Sequence, residues 1–403
     1  MALLSVADAL ARVIEGVEPL PAEEVPLAEA EGRVLAEDLA ARRTQPPHDV
    51  SAMDGYAVRA ADVAVAPATL TLVGEVAAGR PFTGRIEPGE TARIFTGGVL
   101  PAGTDTVVIQ ENTSREGDAI VVSQPAPRGR NVRVAGLDFE QGHIGLRKGR
   151  RLTGRDVSLA AAMNHPTVPV HRRPKIAIVA TGDELVPPGT EPGPGQIVYS
   201  NIFALAAVAR REGADVLDLG ILPDKLEETV LGVRRAREAG ADVLLTAGGA
   251  SVGDYDLVQP ALAAEGLALS FWKVAVRPGK PLLFGRLDAM RVLGLPGNPV
   301  SAYVCAVLFL TPLIRRLLGR QDVDLSLVNG VLGRDVKAND ERADYMRATL
   351  ALRADGTPVA TPFPVQDSSM LVPLAAADCL LLREPHAPAA AAGAPCVFVK
   401  LQD

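Results

Sequence analysis

A short apolar run passes into a glycine-rich, acidic loop in the segment Val243-Leu244-Leu245-Thr246-Ala247-Gly248-Gly249-Ala250-Ser251-Val252-Gly253-Asp254-Tyr255-Asp256. The same succession occurs at Ile176 to Leu185 and, without the acids, at Val292 to Ser301. A strand that ends in such a loop presents free backbone N–H groups to an anion. Because carboxylates repel an anion unless a cation lies between them, the acidic loops predict a phosphate-bearing, nucleotide-like ligand bound together with Mg²⁺.

The sequence around these loops alternates between strand-like and helix-like segments. Apolar periodicity predicts helices at Asn201 to Glu212, Leu226 to Ala239 and Val300 to Leu318, with a strand at Val216 to Ile221 between the first two. Such alternation is typical of a three-layer α/β domain with a mostly parallel sheet. In a sheet of this kind the glycine-rich loops meet at the carboxyl ends of the strands, where ligands bind.

Segments with a different texture lie on both sides of this domain. Helical spacing predicts helices at Ser5 to Val17, Leu27 to Leu39 and Arg151 to Asn164. Short β-like runs alternate with Gly, Pro and Asp turns between Ser51 and Val134, and again after Gln321. The sequence therefore predicts a multidomain α/β plus β fold, with a split N-terminal domain (1–44 and 135–173), an inserted small β domain (45–134), the α/β domain (174–320) and a C-terminal β domain (321–403).

Composition limits the possible classes of function. The 403 residues carry a formal charge of −7, which argues against general nucleic-acid binding because that needs a basic face. The three cysteines, Cys305, Cys379 and Cys396, match no zinc or disulfide spacing and are typical of reduced thiols in a cytosolic protein. The sequence shows neither a signal peptide nor 18 apolar residues without a charge, so we expect a cytoplasmic protein without a membrane span.

Six short blocks stand in order along the chain: Gln45 to Val58, Ile94 to Gly98, Thr181 to Leu185, Gly248 to Asp256, Pro278 to Pro281 and Leu295 to Pro299. Together they resemble the signature of the MoeA-type molybdopterin molybdenumtransferases, which include the E domain of gephyrin and its plant counterparts. The resemblance covers essentially the whole chain. It implies an elongated four-domain subunit with a central MogA-like domain, and a homodimer whose two subunits share each active site.

The resemblance also implies a reaction, the insertion of molybdate into adenylylated molybdopterin with release of AMP and with Mg²⁺ as metal. Possible further partners are the molybdopterin adenylyltransferase and apo-molybdoenzymes or their chaperones. It implies catalytic roles for Asp54, Thr96, Glu184, Asp256, Lys273 and Lys280, and metal or substrate binding by Glu184 and Asp256. From their place on loops at the ligand edge, we expect Asp224 and Asp254 to bind the metal as well. The resemblance implies substrate binding by Arg277, Ser301, Arg347, Ser368, Gly248, Gly249, Ser251, Pro296, Gly297 and Asn298.

Several of these residues also have a purely structural interpretation. Asp183 and Asp224 could cap helices, and Asp54 and Thr96 could be turn residues. On one continuous strand Lys273 and Arg277 would share a face, although a basic run is usually a solvated face. Arg347 and its neighbour Arg342 could form surface ion pairs. Many members of the family carry lysine where this chain has Arg277, and a forked guanidinium is not equivalent to an ammonium.

Two other functions remain open on the sequence. A molybdopterin adenylyltransferase shares the central α/β domain, but it needs neither the N-terminal 173 residues nor a C-terminal domain. A scaffold that binds partner peptides, as the gephyrin E domain does, would not need the retained Glu184, Asp256, Lys280 and Arg347. An assay of AMP release that depends on molybdate separates these functions.

Overall fold

The computed structural model describes residues 3–77, 79–248 and 257–401, which form two compact units. One unit comprises Met1–Glu23, Gly32–Ala36 and His171–Asp403, and the other comprises Glu24–Glu31 and Glu37–Val170. The predicted site residues Gly249, Ser251, Asp254 and Asp256 lie outside the described residues.

The first unit contains a six-stranded sheet, in the order Asp215–Leu222, Lys175–Thr181, Val243–Ala247, Met290–Leu295, Leu283–Leu287 and Ala268–Trp272. The first four strands are parallel to one another, and Leu283–Leu287 is antiparallel to both of its neighbours, Met290–Leu295 and Ala268–Trp272. Along Lys175–Thr181, alternate residues enter two different cores, Ile176 and Ile178 on one side and Ala177 and Val179 on the other. Both faces of the sheet are therefore covered, and the predicted three-layer α/β domain with a mostly parallel sheet is confirmed.

Helices cover the two faces of this sheet. They are Val6–Ile14, Asn201–Arg211, Leu226–Glu238, Val258–Ala264, Pro299–Cys305 and Thr311–Leu317, with a π-helical turn at Ala306–Leu310. The helix predicted from Ser5 is confirmed as Val6–Ile14, and Ser5 caps it, because its Oγ accepts the Asp8 N–H at 3.0 Å. The segment Pro299–Leu317 has the length and hydropathy of a membrane-spanning helix, but 83% of it is buried in the protein, as in the core helix of a globular domain.

A second sheet in the same unit forms the C-terminal β barrel. Its strands are Val276–Arg277, Ala343–Leu352, Pro358–Pro362, Leu327–Leu332, Pro395–Lys400 and Cys379–Arg383, with a short helix at Leu371–Ala375. Ala343–Leu352 pairs with both Pro358–Pro362 and Cys379–Arg383, so five strands close into a ring. The two-residue strand Val276–Arg277 joins this sheet beside Ala343 and Asp344, although it belongs to the sequence of the α/β domain.

The prediction of one continuous strand through Lys273 and Arg277 is wrong. The strand of the α/β sheet ends at Trp272, and Lys273 takes a φ of 105°, which is outside strand geometry. A separate strand then begins at Val276. Lys273 therefore lies just beyond the α/β sheet, whereas Arg277 belongs to the barrel sheet.

The second unit contains the predicted all-β region, which is confirmed. Its six-stranded sheet has the order Thr106–Ile109, Gly55–Val58, Glu90–Ile94, Ala68–Val76, Ala119–Val122 and Thr113–Glu116. Short strands pair at Val50–Ser51 with Val132–Arg133 and at Leu39–Ala40 with Ile144–Leu146, and 3₁₀ turns occur at Ala60–Val63 and Gln110–Asn112. The predicted helix near Arg151 is confirmed as Gly154–Ala162, which begins with a Thr153–Asp156 capping box.

The predicted helix from Leu27 to Leu39 is wrong. The segment has a three-residue 3₁₀ turn at Leu27–Glu29 and a strand at Leu39–Ala40. Gly32 between them takes a φ of +77°, which ends any helical path. The apolar residues that suggested a helical face, such as Val34 and Leu35, are fully buried in irregular chain instead. The remaining strands of the fold are Ala22–Pro26, Thr167–His171, Leu185–Val186 and Ile197–Val198.

Candidate functional site

A cavity of about 540 Å³ lies where the loops of the α/β domain meet the C-terminal barrel. We call it the site cavity. Its lining contains seven of the predicted site residues, namely Arg277, Lys280, Pro296, Gly297, Asn298, Ser301 and Ser368. Pro278, Gly279, Pro281, Arg342, Gln366 and Asp367 complete the lining. Residues from four separate stretches of sequence therefore form one concave surface.

The glycine-rich loops approach each other closely at this edge of the parallel sheet. Gly248 takes a φ of +98° and donates its N–H to the Leu295 carbonyl at 3.2 Å. A methyl group built on Gly297 would lie 3.8 Å from the Gly248 Cα, so the two loops run side by side. The Asn201 side chain donates to the Gly297 carbonyl at 2.7 Å from the first residue of its helix. These contacts fix the backbone of the cavity wall.

Ser368 is held against the α/β domain by two hydrogen bonds. Its Oγ accepts the Asn298 Nδ2–H at 2.8 Å, and its carbonyl accepts the Val300 N–H at 3.1 Å. Val300 and the largely buried Ser301 lie in the first turn of the helix Pro299–Cys305. The loop of the barrel that carries Ser368 is thus bound directly to the beginning of this helix.

The three cations of the site cavity differ in how they are paired. Arg277 contacts Asp340 at 3.0 Å, Asn339 at 2.9 Å and Asp344, and the carboxylate of Asp344 raises the pKa of Arg277. Arg342 also contacts Asp340, at 2.6 Å. Lys280 is exposed, and within the described ranges it forms no ion pair. Lys280 therefore has the charge that is most available to an anionic ligand.

Arg347 does not line the site cavity. The residue is 1% exposed, and its guanidinium donates from Nε to Gln366 Oε1 at 3.3 Å and from Nη1 to the Met370 carbonyl at 3.0 Å. Both acceptors belong to the loop that carries Ser368. The donors of Arg347 thus bind the loop that carries Ser368, and its role in binding an oxyanion stays a prediction.

Lys273 also lies outside the residues that line the site cavity. Its Nζ is 4.8 Å from the centroid of the Trp272 ring, a cation–π contact. Its backbone N–H donates to the Leu282 carbonyl at 3.0 Å. The observed contacts of Lys273 are therefore with neighbouring residues of the α/β domain.

Three acids, Asp183, Glu184 and Asp224, follow the carboxyl ends of two neighbouring parallel strands. The Asp183 N–H donates to Asp224 Oδ2 at 3.3 Å, and the Asp224 N–H donates to Asp183 Oδ1 at 3.1 Å. The Glu184 carboxylate folds back over Gly182, where a methyl group would overlap it. Each aspartate keeps one oxygen that these two bonds do not use. Within the described ranges no three acids, histidines or cysteines form a metal-binding group.

Asp54 and Thr96 are in direct contact in the β domain of the second unit. Asp54 Oδ1 accepts both the backbone N–H and the hydroxyl of Thr96, each at 2.8 Å. Both hydrogen bonds lower the pKa of Asp54, and the one from the backbone N–H has the larger effect. The carboxylate is therefore ionised and oriented, as both a turn residue and a site residue would be.

Sequence reasoning missed the residues that hold the cations in place. Asn339 accepts from Arg277 and donates to the Arg342 carbonyl at 2.7 Å, and Asp340 contacts both arginines. Hydrogen bonds from Arg342 lower the pKa of Asp340 to about 2, and the bond from the Arg342 side chain has the largest effect. Asp340 Oδ1 accepts the Arg342 N–H at 2.9 Å, which forms an Asx-turn. Because such turns are local, the sequence could have predicted this contact of Asp340. No local pattern indicates the pairing with Arg277.

Three family models match the chain in succession. They are the MoeA N-terminal region (domain I and II) over residues 4–164, the probable molybdopterin binding domain over residues 177–316, and the MoeA C-terminal region (domain IV) over residues 329–401. Curated relatives include a molybdopterin molybdenumtransferase of Haemophilus influenzae, 33% identical over 385 residues, which covers 95% of both chains. Another, of a Nostoc species, is 41% identical over 305 residues, covering 74% of this chain and 70% of that one.

Solved structures agree with this assignment. Two structures of a molybdopterin biosynthesis MoeA protein from Pyrococcus horikoshii have TM-scores of 0.86 and 0.84, with 30% and 28% sequence identity. They cover 100% and 99% of this chain and the whole of their own chains. The fold and the matched regions thus define the class, a multidomain protein of molybdenum cofactor biosynthesis. Within that class, this chain belongs to the MoeA family.

Proposed function

We propose that this chain is a molybdopterin molybdenumtransferase, which inserts molybdate into adenylylated molybdopterin and releases AMP. Its curated relatives across several bacteria carry that name. The single observation that carries the proposal is the site cavity, which joins Lys280, Ser301 and Ser368 with the loop Pro296–Asn298 on one surface. Molybdate is a tetrahedral dianion, so a cation and hydroxyl donors on a rigid wall suit it as substrate.

The chemistry required of the protein is mainly positioning and charge stabilisation. In our proposal Lys280 attracts the molybdate, and the hydroxyls of Ser301 and Ser368 orient it by donating hydrogen bonds. Gly248, Gly297 and Asn298, with Gly249 and Ser251, bind the pterin nucleotide. Pro296 stiffens this wall. Arg347 holds the loop of Ser368 in place, and Arg277 holds the barrel strand against the α/β domain.

The metal is a further part of the proposal. Mg²⁺ would be held by Glu184 and Asp224 together with Asp254 and Asp256, and it would offset the negative charge of the phosphoanhydride when bound. Asp224 fits this role, because only its Oδ2 accepts the Asp183 N–H and its other carboxylate oxygen is not used by that bond. Metal binding that survives removal of all four proposed ligands would contradict this assignment.

We also propose a cytoplasmic homodimer in which Asp54 and Thr96 of one subunit act beside the site cavity of the other. The three free cysteines suit a reducing compartment. An isologous two-fold contact would create two equivalent shared sites. Mixed dimers of inactive variants test this arrangement and are described below.

The experiment that tests the function follows AMP after purified protein is mixed with adenylylated molybdopterin and Mg²⁺, with and without molybdate. AMP that appears only with molybdate supports the transferase. Formation of adenylylated molybdopterin from ATP and molybdopterin would instead identify an adenylyltransferase. If neither reaction occurs with folded protein, the proposed transferase activity is wrong.

A further inference from the structure

A second cavity, of about 550 Å³, lies on the C-terminal barrel next to the site cavity. We call it the barrel cavity. Its charged lining residues are Arg277, Arg334, Lys337, Arg383, Asp335 and Asp344, and its apolar surface includes Met346 and Phe363. Arg277 and Gln366 line both cavities, so the two spaces are neighbours that share a wall.

The carboxylates of the barrel cavity already have partners. Asp344 is 6% exposed and is bonded to the guanidinium of Arg277. Asp335 Oδ1 accepts the Ala392 N–H at 2.8 Å, which orients it toward the barrel backbone. With four cations against these two acids, the lining has an excess of two positive charges.

The remaining cations have donors to spare. Arg334 and Lys337 are exposed, and in the part of the chain that the structure describes they form no ion pair. Arg383 donates from Nη2 to the carbonyls of Lys337 and Pro388, but its Nε is buried and has no hydrogen-bond partner among the described residues. The donors that an anion in the cavity can reach are therefore the exposed charged groups of Arg334 and Lys337.

From this arrangement we propose that the barrel cavity is a loading site for a tetrahedral dianion, which in the reaction is molybdate. Several cations with unused donors suit a small oxyanion with charge on every oxygen. A basic surface beside the site also raises the local concentration of its anionic substrate. The role as a loading site rests on the proposed function, whereas the binding of a tetrahedral dianion does not.

Equilibrium dialysis of the full-length protein with molybdate, at low ionic strength, tests the binding. We expect two equivalents bound per wild-type chain, one in each cavity, and one equivalent for Arg334→Ala/Lys337→Ala. The control Arg353→Ala/Lys400→Ala removes the same charge from exposed positions of the barrel that do not line the cavity, and it should retain two. Lys280→Ala, which changes only the site cavity, should still bind one equivalent of molybdate in the barrel cavity.

Three results would overturn the proposal: a single equivalent on the wild type, two equivalents on Arg334→Ala/Lys337→Ala, or equal losses in that variant and in the control. Sulfate has the same charge and shape as molybdate and should displace the equivalent of the barrel cavity. Failure of sulfate to compete would contradict recognition by charge and shape.

A kinetic measurement tests the loading role. Arg334→Ala/Lys337→Ala should raise the half-saturating molybdate concentration about tenfold without changing the maximal rate, and the effect should shrink at high salt. An unchanged half-saturating concentration would contradict the loading role. If the protein released no AMP at all, the proposed function would fail, but the dialysis result would still decide whether the barrel cavity binds the dianion.

Discussion

Replacing Arg347 by methionine tests whether this buried guanidinium positions the loop of Ser368. Its Nε and Nη1 donate to Gln366 and Met370, which lie on either side of Ser368 in the loop. Methionine keeps a long unbranched stem and fills irregular space well, but it has no donor. The substitution therefore removes the hydrogen bonds of the side chain while changing the packing little.

The size of the effect follows mainly from these two bonds, because the third, from Nη2 to the Val365 carbonyl, is long at 3.5 Å. A hydrogen bond from a charged donor contributes about 1.5–3 kcal/mol. The Met370 carbonyl belongs to an exposed residue, so water can replace the lost donor there, and the Arg347 backbone N–H still donates to Gln366 at 3.0 Å. We therefore expect the loss of about one such bond, which corresponds to a roughly 10- to 150-fold change in the opening equilibrium of the loop.

Hydrogen exchange measured by mass spectrometry gives this quantity directly. Peptides that contain residues 363–370 should exchange roughly 10- to 150-fold faster in Arg347→Met, whereas the strand Lys175–Thr181 should keep its protection. The half-saturating molybdate concentration should rise, since the Ser368 hydroxyl loses its fixed position. The exposed residue Arg353 provides a matched control, because Arg353→Met should change neither.

Two outcomes would refute the positioning role. If activity falls while loop exchange stays at the wild-type rate, Arg347 acts by direct contact with the substrate. If the loop exchanges faster but the molybdate titration is unchanged, the position of Ser368 does not matter for the reaction.

Other predictions concern the cavity wall, the carboxylates and the dimer. Gly279→Ala should destabilise the protein to denaturant by about 1–3 kcal/mol, because Gly279 has a φ of +119° and a methyl group there overlaps Cys305 Sγ. Adding Cys305→Ala should remove the overlap with Sγ but leave the strain of the positive φ. The pKa of Asp340 is lowered, so the ionised carboxylate stabilises the fold above pH 4, and this contribution is lost as pH falls toward about 2. The difference in unfolding free energy between the wild type and Asp340→Asn should therefore shrink over that range. Mixing inactive Asp54→Ala and Glu184→Ala subunits should restore up to about half of the sites in each mixed dimer; subunits that exchange without regaining activity would rule out a shared site.

Much of the fold was predictable because its signals are local. Apolar periodicity gave the helix Asn201–Arg211 and the strand Asp215–Leu222 to within two residues, since both bury a regular face. The failure at Leu27 to Leu39 has an equally local cause. Gly32 in the left-handed region interrupts a segment whose apolar spacing alone favours a helix.

The site was less predictable because it depends on how distant segments pair. Arg342 and Arg347 lie five residues apart, yet one lines the site cavity and the other is buried beneath the loop of Ser368. That difference is decided by the closure of the barrel. In the same way, the partners of Arg277 are set by the register of Val276–Arg277 against Ala343 and Asp344, which brings two separate stretches of sequence together.

The central claim is that the site cavity binds the molybdate that is inserted. It is tested most directly by the rate of AMP release from adenylylated molybdopterin, titrated with molybdate for the wild type and Lys280→Ala. Lys280 is the cation of the cavity without an ion pair among the described residues, and losing one charge-assisted hydrogen bond costs about 1.5–3 kcal/mol. We predict a half-saturating molybdate concentration roughly 10- to 150-fold higher in the variant. The same half-saturating concentration in both proteins would contradict the claim.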